Sequence, residues 1–145
     1  MEDKKCIFCS PEQIKAHQIY ETKLFRILID KKPIAPGHSL IVTKRHTPSF
    51  SYLTPDEVEE FAYLIKKLGL ALMRAVRAGG YNVLFNEGLA AGQTINHFHV
   101  HVIPRQQETA GINPKDVLAE ALQARKELTP EEVKEARKKL SREIY

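Results

Sequence analysis

The chain has 145 residues, of which 43% are hydrophobic and 28% are charged, a composition typical of a soluble globular protein. No apolar run reaches the roughly 20 residues that a membrane-spanning helix needs, and the first residues lack the apolar core of a secretory signal. We therefore expect one domain, no membrane partner and a location in the cytoplasm. The net charge of +4 favours anionic partners only in a general way.

Basic and acidic residues are mixed at high density in the segment 125–145. Such a mixture is typical of a solvated helix face. The alternative is a patch that binds nucleic acid, but no helix-turn-helix or RNA-binding signature accompanies the segment. We therefore expect no nucleic-acid partner.

The first half of the chain begins with a helix signal and continues with two strand signals. Ser10, followed by a proline and then a glutamine, predicts the start of a short helix. The β-branched and apolar stretch 22–30 predicts a strand. Turn residues containing two prolines and a glycine separate it from a second predicted strand at 38–43. We expect the two strands to form a hairpin with His38 near its mouth.

The clearest helix start lies at Thr54, which is followed by a proline and, three residues after the cap, by Glu57. Apolar residues then recur at helical spacing as far as Val76. We expect the glycine pair at 79–80 to end this long helix. A strand is predicted at 81–85.

A loop at 86–92 leads to a longer predicted strand at 94–103, which Pro104 would close. Two further helix starts, at Asn113-Pro114 and Thr129-Pro130, predict a helical end of the chain. This order of elements predicts an α+β domain with an antiparallel sheet. We place the main domain at 1–110 and expect a helical extension, 111–145, to pack on it.

Three histidines alternate with apolar residues in the segment His97-Phe98-His99-Val100-His101. Successive side chains of an extended strand point to opposite faces, so we predict that the histidines share one face and the apolar residues the other. A row of imidazoles suits a phosphate-sized ligand. Two alternatives are exposed histidines on a half-buried strand and a metal ion chelated by two of the rings.

Cys6 and Cys9 are the only cysteines of the chain. Their spacing is typical of a zinc-binding pair or a redox pair. A redox pair usually follows a strand, for which the first five residues leave no room. Two thiolates supply half of a tetrahedral zinc site, and histidine nitrogens are the usual complement. Zinc is therefore favoured, and a pair of ordinary reduced thiols is the next alternative.

The sequence resembles the histidine triad family, whose signature is three histidines alternating with apolar residues. The similarity runs from about residue 6 to residue 105 and favours the branch that cleaves diadenosine polyphosphates and includes the fragile histidine triad proteins. The resemblance implies an antiparallel sheet of about five strands with one long central helix, and a homodimer. The matching motifs are Asp30 before the turn, Pro36-Gly37-His38, Lys44-Arg45-His46, Asn86-Glu87-Gly88 and Gly92-Gln93-Thr94.

The resemblance implies that His99 is a nucleophile that attacks the α-phosphorus of a bound nucleotide and forms a phosphoramidate, which water then hydrolyses. Imidazole suits this chemistry because it is nucleophilic when neutral and leaves readily once phosphorylated and protonated. His101 would contact phosphate or leaving-group oxygens. His38 would support the same site, and His97 completes the catalytic triad.

The resemblance also implies four substrate-binding residues. Asp30 would accept hydrogen bonds from the ribose hydroxyls, and phosphate would be contacted by Asn86, Gln93 and Thr94. From the residues alone, simpler interpretations stay open: Asn86 and His38 are also ordinary turn residues, and Asp30 can simply end its strand.

Some triad proteins complete a zinc site with the histidine after the basic pair and the first triad histidine. The resemblance therefore implies that His46 and His97 join Cys6 and Cys9 as ligands. The zinc would be structural, and it would fix the N-terminus to the catalytic strand.

We expect a hydrolase of nucleoside phosphate derivatives. Dinucleoside polyphosphates are favoured because the ending Ile103-Pro104-Arg105 resembles that branch and the chain has no tryptophan. One alternative is a purine nucleoside phosphoramidase of the same fold. Others are a nucleotide-binding interaction protein with little turnover and an enzyme that holds zinc at the histidine face.

Overall fold

The computed structural model describes residues 5–113, 115, 116, 119, 123 and 125–144. Its helices and strands are α1 (Pro11–His17), β1 (Gln18–Glu21), β2 (Phe25–Ile29), β3 (Ser39–Thr43), α2 (Pro55–Val76), β4 (Gly80–Leu84), β5 (His99–Arg105) and α3 (Pro130–Ser141). Short 3-10 turns occupy Phe50–Tyr52, Leu89–Ala91 and Gln107–Thr109. The helix predicted to start at Asn113-Pro114 falls mostly on residues outside these ranges.

The strands form one five-stranded sheet in the order β1-β2-β3-β5-β4, and every neighbouring pair is antiparallel. The predicted hairpin is confirmed, since β2 and β3 pair along their whole length. On β5, Val100 pairs with Ile41 of β3 and Val102 pairs with Val83 of β4. The histidine-bearing strand is therefore interior to the sheet, where its register is fixed from both sides.

The long helix begins where the sequence predicts it. Thr54 and Glu57 form a reciprocal capping box, in which the Thr54 hydroxyl accepts from the Glu57 amide at 3.2 Å and the Glu57 carboxylate accepts from the Thr54 amide at 2.9 Å. The predicted glycine stop is wrong, because Arg77 ends the helix in the left-handed region with φ 52°. The glycine pair instead enters β4, where the Gly79 amide donates to the Arg105 carbonyl at 2.9 Å.

The core lies between α2 and one face of the sheet. Leu64, Leu68 and Leu72 of α2 are completely buried and belong to one cluster with Val100 and Val102 of β5. The end of the chain joins this core, since the cluster also contains Leu140 and Ile144. Among the described residues, no helix combines the length and the apolar character that crossing a membrane requires.

Two strand predictions are wrong in their bounds. The strand predicted at 22–30 begins only at Phe25, and an unpredicted strand, β1, precedes it. The strand predicted at 94–103 begins only at His99, because the Phe98 amide donates to the Thr47 carbonyl at 2.8 Å outside the sheet. The same strand continues through Pro104, which the sheet tolerates because β3 pairs with β5 only as far as Val102.

We expect Leu68→Ala to lower the free energy of unfolding by about 2–5 kcal/mol, because the truncation leaves a cavity at a position with 0% exposure. Leu89→Ala is the matched leucine-to-alanine control, because Leu89 is 84% exposed, and it should change stability by less than about 0.5 kcal/mol. Chemical denaturation measures both. Equal losses would contradict the assigned burial of Leu68.

Candidate active site

A cavity of about 350 Å³ opens on the histidine face of β5. Its wall includes His99 and His101, with Asp30 from the end of β2 and Thr94 from the loop before β5. Val100 and Val102, the apolar residues that alternate with the histidines, are completely buried. The predicted alternation of polar and apolar faces therefore holds from His99 onward.

The His99 ring is held by the backbone two residues earlier, since His99 Nδ1 lies 2.7 Å from the His97 carbonyl oxygen. A carbonyl can only accept a hydrogen bond, so Nδ1 carries the proton and Nε2 keeps a free lone pair. Burial lowers the pKa of His99, while the His97 carbonyl and the charge of Asp30 oppose that shift. The ring is thus favoured as the neutral tautomer whose Nε2 can act as a nucleophile.

His38 and His101 form a hydrogen-bonded pair. The Ile34 amide donates to His38 Nδ1 at 3.0 Å, so the proton of neutral His38 lies on Nε2. That nitrogen is 2.9 Å from His101 Nδ1, which must accept, leaving the His101 proton on Nε2. Burial lowers the pKa of each ring to about 4. The pair therefore fixes a neutral N–H donor on His101.

Asp30 lies beside this pair and is 7% exposed. Its Oδ1 accepts from the Lys32 amide at 2.8 Å. Its Oδ2 lies 3.4 Å from His38 Nε2 and 3.9 Å from His101 Nδ1. The structure thus brings His101 together with Asp30 and His38, which flank the turn between β2 and β3.

The donor atoms of Asp30, His38 and His101 lie within 4.8 Å of one another, close enough to hold a metal ion. Two of the three donors are already hydrogen-bonded to each other. The guanidinium of Arg125 lies 3.4 Å from the Asp30 carboxylate, where it opposes the binding of a second cation. These contacts favour a hydrogen-bonded pair over a metal at the histidine face.

Two predicted phosphate-binding residues, Asn86 and Gln93, are not among the residues that line this cavity. The Gln93 amide nitrogen donates to the Pro48 carbonyl at 2.6 Å, and its oxygen accepts from the Gly88 amide at 2.8 Å. Asn86 lies beside Gly92. Gln93 therefore holds the loop before β5 in place, and its phosphate contact stays a prediction.

His97 does not share a strand face with the other two histidines, contrary to the prediction. It lies in a bend before β5 and is completely buried. His97 Nε2 lies 2.8 Å from the Thr43 carbonyl, so that nitrogen donates and Nδ1 keeps its lone pair. Nδ1 faces Cys6 Sγ at 3.4 Å and Cys9 Sγ at 3.6 Å.

His46 completes this cluster with Cys6, Cys9 and His97, and all four donor atoms lie within 4.8 Å of one another. Zinc bound tetrahedrally at about 2.3 Å to sulfur and 2.0–2.1 Å to nitrogen requires sulfur–nitrogen edges of about 3.6 Å and a nitrogen–nitrogen edge of about 3.3 Å. The Cys9–His46 edge is 3.3 Å and the His46–His97 edge is 3.1 Å. The donor set and its dimensions therefore fit zinc.

The cavity wall also includes residues that were not predicted as site residues, among them Phe8, His17 and Arg125. The Phe8 ring centroid is 5.0 Å from that of His99. Phe8 lies between Cys6 and Cys9 in the sequence, so the proposed zinc link between these cysteines and the catalytic strand could have indicated that Phe8 lies near the site. His17 is the last residue of α1. No sequence signal indicated Arg125.

The fold and the histidine-lined cavity are those of an α+β domain with a candidate active site on its central strand, and the sequence comparison identifies its family. The HIT domain model matches residues 11–108, and the chain belongs to the histidine triad (HIT) family.

The chain is similar to relatives that have different names. An adenosine 5'-monophosphoramidase of Saccharomyces cerevisiae is 37% identical over 112 residues, which cover 76% of this chain and 68% of that protein. An asymmetrical bis(5'-nucleosyl)-tetraphosphatase of Schizosaccharomyces pombe is 33% identical over 103 residues, 71% of this chain and 57% of that protein. An uncharacterized HIT-like protein of Mycoplasma genitalium is 34% identical over 108 residues, 73% and 77% of the two chains.

Solved structures confirm the predicted α+β fold. A hypothetical histidine triad nucleotide-binding protein from Sulfolobus tokodaii has a TM-score of 0.77 at 30% identity and covers 95% of this chain and 91% of its own. A zinc-bound histidine triad family protein from Mycobacterium smegmatis has a TM-score of 0.71 at 26% identity, with 95% and 94% covered.

At neutral pH we expect His99 to carry its proton on Nδ1, and His38 and His101 to carry theirs on Nε2. Long-range proton–nitrogen NMR correlations distinguish the tautomers, with single histidine-to-alanine variants providing the assignments. Because burial lowers the pKa of His38 and His101 to about 4, both rings should stay neutral as the pH falls from 7 to about 5. Charging of either ring near pH 6.5, or an Nε2 proton on His99, would contradict the described hydrogen bonds.

Proposed function

We propose that the protein is a hydrolase of nucleoside phosphate derivatives that uses His99 as a nucleophile, with dinucleoside polyphosphates as the favoured substrates. The observation that carries the proposal is the 2.7 Å contact between His99 Nδ1 and the His97 carbonyl, which leaves Nε2 as the basic nitrogen. His99 also lines the cavity, so a bound phosphate can approach it.

In the proposed first step, a bond forms between His99 Nε2 and the α-phosphorus while the bond from phosphorus to the leaving oxygen breaks. His101 donates a hydrogen bond from Nε2 to that oxygen and stabilises its developing charge. The phosphorylated His99 ring is cationic because Nδ1 keeps its proton, which the His97 carbonyl stabilises.

In the second step, water attacks the same phosphorus and the phosphorus–nitrogen bond breaks. The cationic ring is a good leaving group, since the bonding electron pair returns to Nε2 and restores neutral His99. The proton released by water ends on the nucleoside monophosphate or in solvent. The nucleoside would be held by two residues of the cavity wall. Asp30 would accept hydrogen bonds from the ribose hydroxyls, and Phe8 would contact the base.

We expect His99→Ala to lower kcat/KM by roughly a thousandfold or more, because a nucleophile cannot be replaced by neighbouring groups. The assay compares diadenosine tetraphosphate with a fluorogenic adenosine phosphoramidate. Leu89→Ala serves as the control for handling and folding, since Leu89 is exposed and does not line the cavity. Mass spectrometry of the acid-sensitive adduct should find a nucleoside monophosphate on the peptide that contains His99. An adduct on another histidine would overturn the proposed nucleophile, and nucleotide binding without turnover would favour an interaction protein.

We also propose that Cys6, Cys9, His46 and His97 hold one structural zinc ion. Zinc supplies no step of the hydrolysis here. It would fix the segment of Cys6 and Cys9 against the bend before β5, and the hydrogen bond from His97 Nε2 to the Thr43 carbonyl would orient that ligand. The support is the fit of the donor distances to a tetrahedral site and the zinc-bound relative.

Metal analysis of the purified protein should give about one zinc per chain. His46→Asn should lose the metal and lower the free energy of unfolding by several kcal/mol, because metal binding contributes directly to folding. His17→Asn is the matched control, since His17 is outside the cluster, and it should retain zinc. The site would be overturned if the purified wild-type protein contains no metal and if a chelator does not change its unfolding curve.

The homodimer that the family resemblance implies stays a prediction. β4 is an edge of the sheet, and Val83 on this strand is 38% exposed. The neighbouring helix α2 presents Tyr63 and Leu70, which are 63% and 47% exposed. An edge strand beside exposed apolar groups is suited to pairing with a second copy.

A further inference from the structure

The segment 125–129 crosses the turn between β2 and β3, although it lies outside the part of the chain that matches the family model. The Leu128 amide donates to the Lys31 carbonyl at 2.7 Å, and Arg125 Nε donates to the Lys32 carbonyl. Farther along, α3 is anchored by Arg137, whose Nε donates to the Gln18 carbonyl at 2.9 Å. The extension is thus held on the sheet at several points.

Because the segment 125–129 crosses this turn, the Arg125 side chain lies in the wall of the active-site cavity. Arg125 Nη2 lies 3.4 Å from Asp30 Oδ1 and 3.5 Å from Asp30 Oδ2. The same Oδ2 lies 3.9 Å from His101 Nδ1, so a single carboxylate separates the guanidinium from the histidine pair. Burial is the main cause that lowers the pKa of His101, and the charge of Arg125 adds to it.

The cavity wall is cationic around Arg125. Lys31 and Lys32 also line it, and Asp30 is the acidic residue among the lining residues. The contacts of Arg125 within the described residues engage Nε and Nη2, and none of these contacts engages the N–H groups of Nη1. A guanidinium presents such groups in a planar fork that matches phosphate oxygens.

We propose that Arg125 is a specificity-determining residue that binds phosphate oxygens beyond the phosphorus attacked by His99. The site then prefers nucleotides whose leaving group is a phosphate chain over nucleotides whose leaving group is an uncharged amine. This inference rests on the proposed hydrolase function and narrows its substrate class. It also gives the C-terminal extension a direct role at the cavity.

The test compares kcat/KM for diadenosine tetraphosphate and for adenosine 5'-phosphoramidate in the wild type, Arg125→Gln and Lys126→Gln. Arg125→Gln should lower the value for the tetraphosphate by roughly 10–100-fold, the usual effect of losing a charge-assisted hydrogen bond, and the value for the phosphoramidate by less than about threefold. Lys126 neighbours Arg125 but does not line the cavity, so Lys126→Gln should change both values by less than about twofold. Arg125→Lys should restore part of the lost discrimination, since it keeps the charge but not the fork.

Two outcomes would overturn the inference. An equal loss with both substrates would mean that Arg125 only positions Asp30, and a gain with both would mean that the extension obstructs the site. Equilibrium binding of AMP and ADP separates this inference from the hydrolase proposal, because it needs no turnover. Suppose that ADP binds more tightly than AMP only when Arg125 is present, and that neither diadenosine tetraphosphate nor adenosine 5'-phosphoramidate is hydrolysed. In that case the hydrolase proposal fails and the proposed phosphate contact of Arg125 stands.

Discussion

His97 links the cysteine–histidine cluster to the proposed nucleophile, and the geometry of the active site depends on this link. Its ring is fixed at both nitrogens, by the Thr43 carbonyl at 2.8 Å and by Cys6 Sγ at 3.4 Å. Its backbone carbonyl holds the proton of His99 on Nδ1. A shift of this one peptide would free the His99 ring to change tautomer, so the cluster controls a proton position without contacting the cavity.

Burial supplies the second requirement of the site, which is neutral imidazoles. A protonated imidazole has no lone pair, and burial opposes the charged form. The same effect acts on stability. His38 and His101 take up protons near pH 6.5 in the unfolded chain and near pH 4 in the folded protein, so the folded state loses stability as the pH falls between these values. Burying the two hydrogen-bonded rings in the neutral form therefore lowers the stability of the folded protein in acid.

Much of the fold could be predicted because its signals are local. The cap of α2 lies within four residues of sequence, and the hairpin of β2 and β3 is marked by two strand-forming runs around a turn. The alternation of histidine and valine along β5 likewise fixes which side chains face the core. β1 was missed because Gln18 continues directly from α1, with no turn residue to mark the change of structure.

The parts of the site that could not be predicted depend on contacts between distant residues. His97 fits the alternating pattern as well as His99 does. It lies outside the strand, where its ring contacts Cys6, which is 91 positions away. Only the family resemblance identified it as a ligand. Arg125 meets Asp30 across 95 positions, and its own neighbours in sequence are those of an ordinary charged helix flank. A local pattern can thus place the nucleophile, whereas the charge that surrounds the substrate is set by how the extension folds back on the sheet.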